Sequence, residues 1–175
     1  LLLDFLKNWS RENFDVLEVR GLEADDVMGI RASGDRVKYM VASIDKDLRG
    51  VPCDLYLWNK EAFISVTEED ADRYWMYQVL IGDTTDGYTG CPGCGPKAAE
   101  KLLSETPRDQ WWTAIIAMYR AAYDKAMENQ YNEKYAEKTR LSHQETIKAM
   151  DTLGGYEAYA LAQARVARIL RAGEY

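Results

Sequence analysis

The apolar residues change period once along the chain, near Thr67, and that change constrains the fold more than any other feature. Before it, helical and strand-like stretches alternate. Leu2, Phe5, Leu6 and Trp9 recur at helical spacing, Asp15–Val19 alternates at period two as a short strand does, and Glu23–Ala32 gathers Ala24, Val27, Met28 and Ile30 on one helical side. Val37–Ala42 and Asp54–Trp58 follow as strands, and the order strand, helix, strand predicts a βαβ unit with a parallel sheet and right-handed crossovers. After Thr67 every periodic stretch is helical. Thr67 with Asp70 three residues on approximates a capping box, Ala71, Trp75 and Val79 continue one face, and the helix is expected to stop near Gly82. A glycine-rich loop spans Asp83–Gly95, and Pro96 suits the first position of the next helix. Trp112, Ile115, Ile116, Tyr119, Ala122, Tyr123 and Ala126 trace another helix, Ser142 with Glu145 marks a further start, and Gly154-Gly155 precedes a last helix ending before Gly173. The expected class is α/β, with a parallel-sheet core over residues 1–66 and a helical region over 67–175.

The balance of 22 Lys and Arg against 29 Asp and Glu gives a formal net charge of −7, which taken alone argues against a nucleic-acid partner. No stretch approaches the roughly 18 apolar residues of a membrane span, so no membrane partner is expected. The three cysteines, Cys53, Cys91 and Cys94, are odd in number in a chain that is 47% hydrophobic, and this fits a reducing cytoplasm better than a disulfide framework. The chain opens at Leu1 in mid-pattern, without an initiator Met or a leader-like segment, and reads as a fragment of something longer.

Seven carboxylates fall into three short clusters: Glu23, Asp25 and Asp26; Asp45 and Asp47; Asp83 and Asp86. The first two follow expected strands, at the carboxyl ends where ligands bind in α/β folds. Glu23 and Asp26 share a helical face, and Asp45 and Asp47 share a side of an extended segment. Each cluster has an ordinary structural reading, since acidic first turns suit the helix dipole and Asp-rich turns are common. Together they would repel one another unless neutralised, and an oxygen-rich set of this kind is what hard divalent cations such as Mg²⁺ or Mn²⁺ take. Two such ions clamp the attacking water and leaving oxygen of an in-line phosphoryl displacement without a His or Cys nucleophile. The only histidine, His143, lies far from the clusters in sequence and is expected at the surface.

Gly90-Cys-Pro-Gly93-Cys-Gly95-Pro-Lys97 follows the last acidic pair and leads into a helix. Its uncovered amides and the helix N-terminus can approach phosphates, and Lys97 and Lys101, four apart, add charge-assisted contacts. Cys91 and Cys94 permit a zinc or redox reading, but zinc would need two further ligands from Cys53 and His143, so both are expected to be small apolar fillers.

Gly21-Leu-Glu23-Ala-Asp25-Asp26-Val-Met-Gly29, Ser43-Ile-Asp45-Lys-Asp47-Leu48 and Gly82-Asp83-Thr-Thr-Asp86-Gly87 running into Gly90–Lys97 together resemble the 5′-nuclease superfamily. That family contains the 5′ to 3′ exonuclease domain of bacterial DNA polymerase I, flap endonucleases and bacteriophage exonucleases. The likeness covers about residues 10–105, and Trp58 with Ala164–Arg171 looks more like the exonucleases of short-tailed phages. The resemblance implies a PIN-like core and a metal-dependent 5′ to 3′ nuclease that hydrolyses DNA phosphodiesters. Glu23 and Asp25 would serve one metal, Asp45, Asp47 and Asp83 a second, with Asp26 and Asp86 close by. Residues 82–104 would form a helix-hairpin-helix element whose Gly90, Gly93, Gly95, Lys97 and Lys101 grip the duplex phosphate backbone, often around K⁺.

The family's first strand with its Asp ligand, its basic arch and a further Gly-Asp ligand match nothing in this chain. The resemblance therefore implies a core lacking its N-terminal part, with a duplex-binding but catalytically incomplete fragment as the alternative to a working nuclease. A phosphatase using Asp45 as a covalent nucleophile is a further alternative. Removing the seven proposed metal-site carboxylates changes the net charge from −7 to 0, so DNA binding is permitted after all. Arg165, Arg168 and Arg171 are placed either near the DNA or on a solvated helix face, most aromatics are assigned to core packing, and Tyr88 is left open as a base-stacking residue. A phage-encoded protein would act in the host bacterial cytoplasm.

Overall fold

The computed structural model describes residues 2–174 and divides into two compact units, Leu1–Ser65 with Ile169–Tyr175, and Val66–Arg168. The first unit is built on a three-stranded sheet in the order β1 (Met40–Ala42), β2 (Asp54–Leu57), β3 (Ala62–Ser65). β1 and β2 are parallel, with Val41 opposite Leu55, while β2 and β3 are antiparallel, with Leu55 opposite Ile64. The sheet is thus mixed where a parallel one was expected. β3 escapes sequence reading because it is four residues long and lies just after the Trp58–Glu61 turn, whose Glu61 adopts φ 49°.

Asp15–Val19, expected as a strand, is irregular. Val16 and Leu17 are exposed, and alternation alone cannot make a strand without a neighbour to take its backbone hydrogen bonds. Val37–Tyr39 likewise stays outside β1. Helix α1 (Leu2–Asn13) forms where its apolar spacing predicts, but none of its residues is buried. Helix α2 (Ala24–Gly34) sends Gly29 and Ala32 inward, and Ala32, Val41, Leu48, Val51, Cys53, Leu55, Leu57 and Ile169 make the core of this unit.

The C-terminal strap closes that core. A Cβ on Gly29 would come within 2.4 Å of the Leu170 carbonyl oxygen, so the strap packs where only glycine fits. Asp26 Oδ1 accepts the Leu170 amide at 3.0 Å, Ser33 Oγ accepts that of Ala172 at 2.8 Å, and Arg171 donates to the Gly50 carbonyl at 2.8 Å.

The second unit contains α3 (Glu68–Ile81), α4 (Pro96–Glu105), α5 (Trp111–Asn129), α6 (Glu137–Thr152) and α7 (Tyr156–Val166). The Thr67–Asp70 capping box is present in both directions, Gly82 caps the far end of α3, and Pro96 occupies the first position of α4. The start expected at Ser142 is wrong: α6 begins at Glu137, and Ser142 lies within it, its carbonyl accepting the Thr146 hydroxyl at 3.0 Å. The last helix also stops earlier than expected, at Val166. Leu80, Leu103, Ile115, Tyr119, Met150 and Ala160 belong to the core, and the buried Tyr119 hydroxyl donates to the Val79 carbonyl at 2.7 Å. Among the described residues no helix is long and apolar enough to cross a membrane.

Candidate active site

In the first unit the leading acidic cluster occupies the entry to α2. Glu23 stands at the N-cap in extended conformation, exposed and without a side-chain capping bond, and Asp25 and Asp26 lie in the first turn. Among the described residues no strand precedes them, so this turn, and not a sheet edge, positions the cluster. Asp25 Oδ1 accepts the Asp26 amide at 3.1 Å, and the half-buried Asp26 gives one oxygen to Leu170 in the strap. The second cluster does follow the carboxyl end of a strand. Beyond β1 the Ser43 amide donates to the Tyr56 carbonyl at 3.0 Å, Ser43 Oγ accepts the Asp45 amide at 3.1 Å, and Asp45 Oδ1 accepts the Asp47 amide at 2.9 Å. These bonds launch the 3₁₀ turn Asp47–Gly50, with Asp45 exposed and Asp47 half-buried.

In the second unit the third cluster lies on a tight turn after α3. Asp83 and Tyr88 exchange both backbone hydrogen bonds, at 2.9 and 3.0 Å, and Asp83 Oδ1 accepts the Thr85 amide at 2.8 Å. A carboxylate oxygen of Asp83 lies within 4.8 Å of one of Asp86. The base of the turn is held by two glycines in contact: a Cβ on Gly90 would come 2.3 Å from the Gly82 nitrogen, and Gly90 has φ +68°. The Cys91 amide then donates to the Leu80 carbonyl at 2.9 Å.

The loop beyond has two characters. Gly90 is buried and its amide donates to Gln163 Oε1 at 2.9 Å, so that amide is already engaged. Gly93 and Gly95 are exposed with open space around the position of a Cβ, Gly95 caps α4, and Lys97 and Lys101 are exposed one turn apart on that helix. Pro96 brings no N–H to the first turn of α4, and the Ala98 and Ala99 amides donate to the Gly95 carbonyl at 3.0 and 3.1 Å, so Lys97 and Lys101 carry most of what this loop offers an anion. Burial pushes the Cys91 thiol up to about 12 and raises Cys94 in the same direction, so neither is a ready thiolate. All three cysteines are free, and Cys91 belongs to the core, as a filler should.

Three expectations change. Tyr88 is 5% exposed and cannot stack on a base. Arg168 holds its guanidinium 4.4 Å from the centre of the Trp75 ring, and Arg171 is fastened to Gly50, while Arg165 is exposed. These arginines do not form a helix face, because the helix ends before two of them. His143 is half-buried, edge-on to Tyr135. The residue that sequence reading missed is Gln163, although the signal existed: it follows Tyr156, Tyr159 and Ala160 at helical spacing, a polar group on an apolar face.

No protein-family model matches the chain. It is 32% identical over 178 residues to the exonuclease of Escherichia phage T7, an alignment covering 95% of this chain and 56% of the phage protein. The exodeoxyribonuclease of Enterobacteria phage T3 is 37% identical over 102 residues, 55% of this chain and 33% of that protein. A 5′-3′ exonuclease of Streptomyces coelicolor is 37% identical over 106 residues, 50% of this chain and 34% of that protein. The chain therefore spans about half the length of the T7 relative and a third of the other two. Similarity to proteins of these names, together with the three acidic motifs in order, relates the chain to the 5′-nuclease superfamily.

Proposed function

We propose that the chain carries the function of a 5′ to 3′ exodeoxyribonuclease, a metal-dependent hydrolase of DNA phosphodiesters, of phage origin and acting in the host bacterial cytoplasm. The observation that carries this reading is the identity of 32% to the T7 exonuclease across 95% of the chain. Glu23, Asp25, Asp45, Asp47, Asp83 and Asp86 hold two Mg²⁺ or Mn²⁺ ions, and Asp26 keeps the first cluster in register through its bond to the strap. The donor set fits such ions: every member is a carboxylate, and Asp45 and Asp83 are each fixed by an amide on one oxygen. When bound, the ions supply an activated water and neutralise the charge that develops on the leaving oxygen, giving a 5′-phosphate and a 3′-hydroxyl.

In this reading the first unit is the C-terminal part of the nuclease core and the second is the DNA-gripping helical region. Residues 82–104 act as a helix-hairpin-helix, with Gly93, Gly95, Lys97 and Lys101 against the duplex backbone, Gly90 closing the base of the loop, and K⁺ seated at the hairpin. Backbone contacts of this kind position DNA without reading sequence. The test is cleavage of a 5′-labelled nicked duplex in Mg²⁺ against EDTA, with Asp45→Ala as control. Mg²⁺-dependent cleavage that disappears in the variant is the expected result. Duplex binding in Ca²⁺ without cleavage in Mg²⁺ would replace the enzyme with a binding module.

A further inference from the structure

Gln163 sends its side chain out of its own helix to a loop 73 residues away in sequence. It is 7% exposed on α7, on the face that also buries Tyr159, Ala160 and Ala164, and its Oε1 accepts the Gly90 amide at 2.9 Å. One turn earlier the Tyr159 hydroxyl shares a 2.7 Å hydrogen bond with Thr89 Oγ1. Helix α7 thus grips two consecutive residues of the segment that closes the acidic turn. A buried amide without a partner is costly, so Gln163 decides where Gly90 sits.

That placement reaches the carboxylates through short links. Gly90 lies against Gly82 with no room for a methyl group between them, and Gly82 is bonded directly to Asp83. Asp83 and Tyr88 then clamp the turn with two backbone bonds, and Asp86 rides on it. We propose that Gln163 is a positioning residue for the Asp83–Asp86 pair, holding the two carboxylates at the separation a divalent cation needs. The proposal rests on the metal reading of those two residues given above.

The test uses the full chain and three variants. Gln163→Met keeps the length and apolar bulk but removes the acceptor, Gln163→Glu keeps an acceptor, and Ala160→Gly loosens the same helix without touching the loop. Amide hydrogen exchange at Asp83, Tyr88 and Gly90 is followed without metal, and Mn²⁺ affinity is measured by calorimetric titration. Gln163→Met is expected to speed exchange at those amides and weaken Mn²⁺ binding by about tenfold relative to Ala160→Gly at equal loss of Tm. Gln163→Glu is expected to restore most of both. Unchanged exchange in Gln163→Met overturns the proposal, and so does faster exchange with unchanged Mn²⁺ affinity, which would make the residue structural only. Failure of the metal reading looks different: wild-type Mn²⁺ affinity would then be indifferent to Asp83→Asn and Asp86→Asn, before any Gln163 variant is made.

Discussion

Gly82 and Gly90 meet backbone to backbone, and a methyl group on Gly90 would come 2.3 Å from the Gly82 nitrogen at a φ of +68°. Gly93 has a similar φ of +78° but open space around it. Gly90→Ala is therefore expected to cost about 3 kcal/mol or more, combining strain and clash, against about 1 kcal/mol for Gly93→Ala, where only strain acts. Urea unfolding of the two variants checks the difference, and equal losses would mean that the crossing is looser than described. Cys91 gives a second residue-level expectation. Burial raises its thiol from 9.0 to about 12, so the folded chain keeps a proton that the unfolded chain releases. Its contribution is complete below the unfolded pKa and is lost as pH rises through the window from 9.0 to about 12. Thermal melts of Cys91→Val across that window should show a shallower alkaline decline than those of the parent chain.

At the scale of elements, α3 is the helix whose start is most fully specified, because Thr67 and Asp70 cap each other. Thr67→Ala should destabilise the chain by about 1 kcal/mol, read from the urea midpoint. Hydrogen bonds from Thr67 lower the Asp70 carboxyl, so the stabilising contact persists above the ordinary carboxylate pKa and fades as pH falls through the lowered one. This helix was legible in the sequence because a cap is a local signal, and α4 was legible for the same reason through Pro96. Elements that depend on finding a partner, near or far, were not. β3 exists by pairing with β2, Asp15–Val19 fails as a strand for want of a pair, and Ser142 with Glu145 mimics a cap inside α6. The same division holds for the candidate site. The acidic motifs and the lysines stand out as local patterns, whereas Gln163 reaches Gly90 and Asp26 reaches Leu170 across long stretches of chain that no local spacing encodes.

For the whole molecule, charge sets the expectation. The formal net charge is −7, and the proposed metal site draws on six carboxylates, so DNA affinity should depend on divalent ions before any chemistry occurs. Duplex affinity measured in Ca²⁺ is expected to exceed that in EDTA at the same ionic strength, and equal affinities would count against neutralisation of the acidic clusters. Lys97→Ala and Lys101→Ala should each lower the slope of log affinity against log salt by about 1, with no change in sequence preference.

The path of the chain has one more consequence. The first unit leaves its sheet at Ser65 and recovers its closing strap only at Ile169, after all of Val66–Arg168 has been made. On the ribosome, the face of α2 at Gly29 waits uncovered while an entire helical unit emerges and folds. The birth order is inverted relative to the sequence: the half that begins first finishes last, and a released chain truncated before Ile169 would carry all of the second unit but a first unit that still lacks its seal.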